Sequence, residues 1–181
     1  MYPLTFYAAF LGTMLSTAGV GYLALKGHDS SNPRTISRVV AQDADTLHKF
    51  RLAIWAGGTL IAITMFFFIV PRITYSLYVA LGCGLIYCDE LLLSIVPDRT
   101  KREAFIHGLF AYGMRLGMLF TALLFVAGLH GNASYTEGVL ATIMASLSAM
   151  MALDHKRFIF YKLSFIGLSH VSVLVAAIAL R

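Results

Sequence analysis

Six stretches of this chain are long and apolar enough to cross a lipid bilayer, and they constrain its fold more than any motif does. About 20 apolar residues, each rising 1.5 Å along a helix, cover a hydrocarbon core roughly 30 Å thick. The stretches are Leu4 to Leu25, Leu52 to Val70, Ile73 to Val96, Ala104 to Leu129, Gly138 to Leu153 and Phe158 to Leu180. The fifth is short, so its helix is expected to begin earlier, near Tyr135, or to be shielded by its neighbours. None alternates apolar and polar residues as a membrane barrel strand does. The fold class expected is therefore all-α: a polytopic transmembrane helix bundle, with residues 1–181 as a single transmembrane domain. Its six spans lie at about 4–25, 52–70, 73–96, 104–129, 135–153 and 158–180.

Composition agrees. Only 13% of residues are charged, whereas a soluble domain carries about 25%. An ordinary soluble globule, a disordered chain and a disulfide scaffold are all excluded. Cys83 and Cys88 stand five apart in one apolar run, pointing about 140° apart on a helix, and read as free apolar fillers. The net charge of +5 and pI near 9.4 point to an anionic lipid surface and to topology, with no nucleic-acid partner. Met1-Tyr2-Pro3 offers no basic leader region and the first run is long, so it reads as a retained span and not a signal peptide.

The breaks between runs have physical causes. Pro71-Arg72 leaves almost no loop between spans two and three, which implies a tight hairpin. Pro97 to Thr100, Gly131 to Ser134 and Asp154 to Arg157 separate the later spans. One connection is long, Lys26 to Arg51. Within it Ile36, Val39, Val40, Leu47 and Phe50 recur at helical spacing among polar residues, which predicts an amphipathic cytoplasmic helix over 35–51. It either extends span two into water or lies at the interface. Basic residues set the orientation: ten of the fourteen Lys and Arg fall in the first, third and fifth connections. Lys and Arg favour cytoplasmic loops, so both termini are expected on the non-cytoplasmic side.

Ionisable groups inside spans are costly, which makes each a functional candidate. Asp89, Glu90, Arg115, His170 and Lys162 form the expected intramembrane polar cluster. Glu90 shares a helical stripe with Ser76, Cys83, Tyr87 and Ser94, the more polar side of span three. Spans three and four are antiparallel neighbours, so Arg115 can reach Asp89 or Glu90 and each would lower the other's insertion cost. A structural ion pair, a proton, ion or headgroup site, and catalytic carboxylates are all open readings of the group. Lys162 is shallow enough to snorkel, and His170, between Ser169 and Ser172, suits a hydrogen-bonded or cavity-lining role.

His48, His107 and His155 fall at similar depth at the starts of spans two, four and six, a possible interfacial group. Three histidines with an open position could bind zinc, but no pair has HExxH spacing, and no metal is expected. Nor is any cofactor: there is no glycine-rich phosphate loop, Gly-x-Ser-x-Gly elbow or Cys-x-x-Cys, His170 lacks a haem partner at its level, and Lys162 is too shallow for retinal. In span five Ala141, Ala145 and Ala149 stand four apart, a small-residue ladder that marks close helix packing within the chain or with another subunit.

The layout resembles the DRAM/Frag-like six-span membrane proteins. The residues that carry the likeness are Asn32-Pro33-Arg34-Thr35-Ile36-Ser37 in the first loop, Pro97 at the end of span three, and His107 near the start of span four. The resemblance implies a non-enzymatic role in membrane or lipid homeostasis. It departs in topology, since that family looks like a set with cytoplasmic termini.

The first expectation is thus a non-enzymatic integral membrane protein, lipid-associated or an accessory subunit of a membrane assembly, with an Arg/carboxylate cluster. Its partners would be membrane lipids and other subunits through span five. The alternatives are a small proton- or ion-coupled transporter or channel, and an intramembrane metal-dependent lipid hydrolase acting through the three histidines.

Overall fold

A computed structural model of the chain describes residues 2–26, 43–95, 100–153 and 157–180. The described residues are helical with no strand, and six helical stretches are long and apolar enough to cross a membrane. The protein is a multi-pass transmembrane helix bundle. The first span comprises α1 (Tyr2–Thr13), a π-helical segment (Met14–Gly19) and α2 (Val20–Lys26). The second is α3 (Ala44–Thr64), continued by a π segment (Met65–Ile69) and a 3₁₀ turn (Val70–Arg72). Then follow α4 (Ser76–Ile95), α5 (Lys101–Gly128), α6 (Gly131–Leu153) and α7 (Phe158–Ala179).

Helix starts follow local chemistry. Thr100 caps α5 in a capping box: its hydroxyl accepts from the Glu103 amide at 3.2 Å while the Glu103 carboxylate accepts from the Thr100 amide at 2.8 Å. Gly131 opens α6 with φ +60°, a conformation that suits glycine and lets spans four and five join across Leu129 and His130. Span five therefore starts at Gly131, four residues before the expected Tyr135. Spans two and three join across Ile73 to Tyr75.

Residues 44–51 are the first turns of α3, continuous with span two. Residues 35–42 of the expected 35–51 helix lie outside the described residues, as do His155, Pro97 and the Asn32 to Ser37 segment. Asp43 caps α3, accepting from the Thr46 amide at 2.8 Å and the Thr46 hydroxyl at 2.6 Å. Those bonds, the hydroxyl's first, hold the exposed Asp43 carboxyl below its ordinary 3.8. A carboxyl lowered in the folded state stabilises that state above the unfolded value and loses the contribution as pH falls through the folded one. Acidification below about pH 4 is thus expected to fray the start of α3. Hydrogen exchange at the Thr46 amide checks this: protection should decline there, while in Asp43→Ala the amide is poorly protected at all pH values.

The six spans close into a ring. Each packs on its neighbours in sequence, and α7 packs back on α1. Lipid has no hydrophobic preference to drive helices together, so small residues that allow close backbone approach decide which faces meet. Between α4 and α5 the meshing pairs are Gly82 with Thr121, Ile86 with Gly117 and Asp89 with Gly113. Between α1 and α3 Gly12 faces Gly57. At one end of the ring Arg51 of α3 donates to the carbonyl oxygens of Ser94, at 2.9 Å, and Ile95, satisfying free carbonyls at the end of α4. Trp55 donates to the Ser94 hydroxyl at 2.7 Å beside it. Lys49, Arg51, Lys101 and Arg102 also lie at this basic end.

Candidate functional site

Inside the ring two cavities stand one above the other, and Glu90 lines both. Each is about 50 Å³, room for a few waters. The basic-end cavity is bounded by Ser16, His107 and Lys162 among others. The central cavity is bounded by Tyr87, Thr121, Ser169, His170 and Ser172, among apolar residues of α3, α4 and α5.

Glu90 occupies this junction for structural reasons. It lies one turn from Tyr87 and two from Cys83 on the inward stripe of α4, and all three line the central cavity. Opposite, on α3, position 58 is glycine: a Cβ there would stand 2.8 Å from Glu90 Oε2, so its absence makes the space that the carboxylate fills. Tyr87 is held by Thr59 of α3, hydroxyl to hydroxyl at 2.9 Å. No hydrogen bond or ion pair joins Glu90 to another described residue.

His170 is buried on α7, and its Nδ1 shares a 2.7 Å hydrogen bond with the Thr17 hydroxyl. Thr17 belongs to the π segment of the first span, where one wider turn re-aims the helix face. Gly167 leaves room for this approach, since a Cβ there would meet Thr17 Cγ2 at 3.3 Å.

Glu137, not among the residues expected from sequence, is wholly buried on α6. Ser172 of α7 donates to its Oε2 at 2.5 Å. The signal that could have found it is simple. Once the fifth span is extended to Tyr135 to reach a crossing length, Glu137 is an acidic residue inside a span and meets the same criterion as Glu90.

The expected polar cluster is only partly assembled. Glu90, His170 and Lys162 line the cavities, and Lys162 is half-buried at the basic end. Asp89 lies elsewhere, against Gly113 in the α4–α5 seam. Arg115 forms no ion pair with either carboxylate and instead lies over the Tyr112 ring, its guanidinium carbon 5.0 Å from the centroid. The reason is helical register. Gly113 meets α4 at the depth of Asp89, and Arg115, two residues on, lies about 200° around α5 and faces away from α4. The ion pair inferred from sequence is corrected accordingly.

The three histidines do not converge either. His48 is exposed while His107 is buried against the basic-end cavity, and no group of three potential metal ligands occurs among the described residues. In the small-residue ladder Ala141 is buried, but Ala145 and Ala149 face outward from the ring. The inward face of α6 is Glu137, Leu140, Ala141, Met144 and Met151. Cys83 is buried and Cys88 exposed, both free.

Comparison with protein-family models, curated proteins and solved structures finds no match to this chain. What it does has to be read from the geometry of Glu90 and its surroundings.

Proposed function

We propose that this protein handles a proton or small cation inside the membrane, as a small ion-coupled transporter or channel with Glu90 as its central acidic group. The observation that carries this reading is the carboxylate's place at the junction of two cavities, with glycine opposite and no hydrogen-bond or ion-pair partner among the described residues. A structural role would suit a carboxylate tied to a cation, because an unpaired charge in apolar surroundings is expensive. Each cavity has room for a few waters, a space that a small ion fits. By the distribution of Lys and Arg we also place the basic end in the cytoplasm.

The test is ion flux in liposomes containing the purified protein and an internal pH-sensitive dye, with a potassium diffusion potential as driving force. Proton or alkali-cation flux above that of empty liposomes, reduced in Glu90→Gln, supports the reading. Wild-type flux equal to that of empty liposomes overturns it.

A second reading, the lipid-associated protein or accessory subunit, draws on Ala145 and Ala149. Both face outward, so any close helix packing that they support is with lipid or another polypeptide. Disulfide trapping through a cysteine at position 145 tests it: a discrete cross-linked band supports a protein partner.

A further inference from the structure

Glu137 is a wholly buried carboxyl that the reading above does not use. Its Oε2 accepts from Ser172, and Ser172 lines the central cavity beside His170. Its Oε1 is buried with no hydrogen-bond partner. Two of the other buried polar atoms without partners, Ser16 Oγ and Thr121 Oγ1, belong to residues lining the basic-end and central cavities. Buried hydroxyls are normally satisfied by protein or by ordered water, and each cavity has room for a few waters beside these residues.

The polar groups are also graded in depth. Glu90 is five residues from the end of α4, about 8 Å from the basic end. Glu137 is six residues from the start of α6, about 9 Å from the opposite end. His170 lies between them, twelve residues along α7. Thr17 engages its Nδ1, which leaves Nε2 as the ring atom for the cavity. The titratable groups lining the central cavity are Glu90, Tyr87 and Cys83 from α4 and His170 from α7; α3 and α5 contribute none. The link from the central cavity to Glu137 is the direct 2.5 Å Ser172 hydrogen bond, which can hand on a proton and leaves no room for an alkali cation.

We infer that the ion is the proton and that Glu137 is its second acidic station, at the far end of a water-bridged path from Glu90 past His170 and Ser172. This rests on the reading of Glu90 given above. Each transfer breaks one O–H or N–H bond and makes another on the next group or water. The donor carboxyl becomes a carboxylate until it is recharged from the other side, and no electrons move. Ser172 is a positioning residue that fixes the orientation of the Glu137 carboxyl.

The experiment compares wild type, Glu90→Gln, Glu137→Gln and Glu137→Asp in dye-loaded liposomes, with sodium uptake measured in parallel. Glu137→Gln is expected to lower proton flux about tenfold, equivalent to about 1.4 kcal/mol in the barrier, with partial recovery in Glu137→Asp and no sodium uptake in any sample. Unchanged proton flux in Glu137→Gln alongside loss in Glu90→Gln overturns the second station and leaves the Glu90 reading intact. Sodium uptake in place of proton flux overturns the proton and retains the ion. No flux of either kind overturns both. If Glu137→Gln does not fold, infrared spectra of the wild type and Ser172→Ala decide. A carboxylic-acid carbonyl band that shifts on loss of the Ser172 hydroxyl supports the station, and an unshifted spectrum overturns it.

Discussion

In liposomes carrying Glu90→Gln, ion flux should fall by on the order of tenfold to a hundredfold while the bundle stays folded. Leaving a buried polar site short of a partner costs about 1–3 kcal/mol, and about 1.4 kcal/mol of barrier is tenfold in rate. Glutamine matches the volume of Glu90 and forfeits no protein hydrogen bond, because none to a described residue exists there, so stability should change little. Gly58→Ala provides an independent perturbation of the same atoms. The new Cβ would lie 2.8 Å from Glu90 Oε2, the far end of a flexible side chain, so the carboxylate moves while the helices need not. Flux should drop with a small change in unfolding midpoint. Undiminished flux in both variants would remove Glu90 from the path.

The largest effect on stability is expected from Gly57→Ala. A Cβ at position 57 would stand 2.8 Å from the Ser16 amide nitrogen and 2.9 Å from the Gly12 carbonyl oxygen, and it would overlap the Ser16 hydroxyl. Two of these are backbone atoms, which cannot swing aside, so α1 has to separate from α3. Overpacking of this kind costs about 1–3 kcal/mol. Separation also withdraws the π segment that carries Thr17 from His170, so stability and flux should fall together. Gly84→Ala and Gly108→Ala are the controls: a Cβ at either position meets nothing within 4 Å, and neither should lower the unfolding midpoint. Equal midpoints for all three variants in detergent would show that the α1–α3 approach is not a tight one.

The helices were legible because bilayer thickness and hydrocarbon transfer act on long, simple patterns. The inward stripe of α4 through Cys83, Tyr87 and Glu90 was legible for the same reason, since helical period alone puts those residues on one face. Boundaries were less so. Gly131-Asn132-Ala133-Ser134 looks like a loop by composition, yet Gly131 takes φ +60° and the helix begins at once. That turn sets Glu137 six residues inside the helix instead of two. The placement of Arg115 depended on which faces of α4 and α5 meet, and that is decided by Gly113 and Gly117 against Asp89 and Ile86, a tertiary fact. The role of Thr17 was invisible for a different reason. A π segment changes backbone register without changing the apolar pattern, so nothing in Met14 to Gly19 marks the widened turn that aims Thr17 at His170.

The closure of the ring has a consequence for how the protein is made. Thr17 and His170 are 153 positions apart, and α7 supplies four residues of the central cavity wall. Glu90 and Glu137 both precede α7 in the chain, so they are synthesised before the helix that completes the cavity wall. Without α7 the central cavity would lack Ser169, His170, Ser172 and Val173, and Glu137 would lose its hydrogen bond from Ser172. The packing of α7 against α1 and α6 is therefore what completes the wall around the cavity that Glu90 lines.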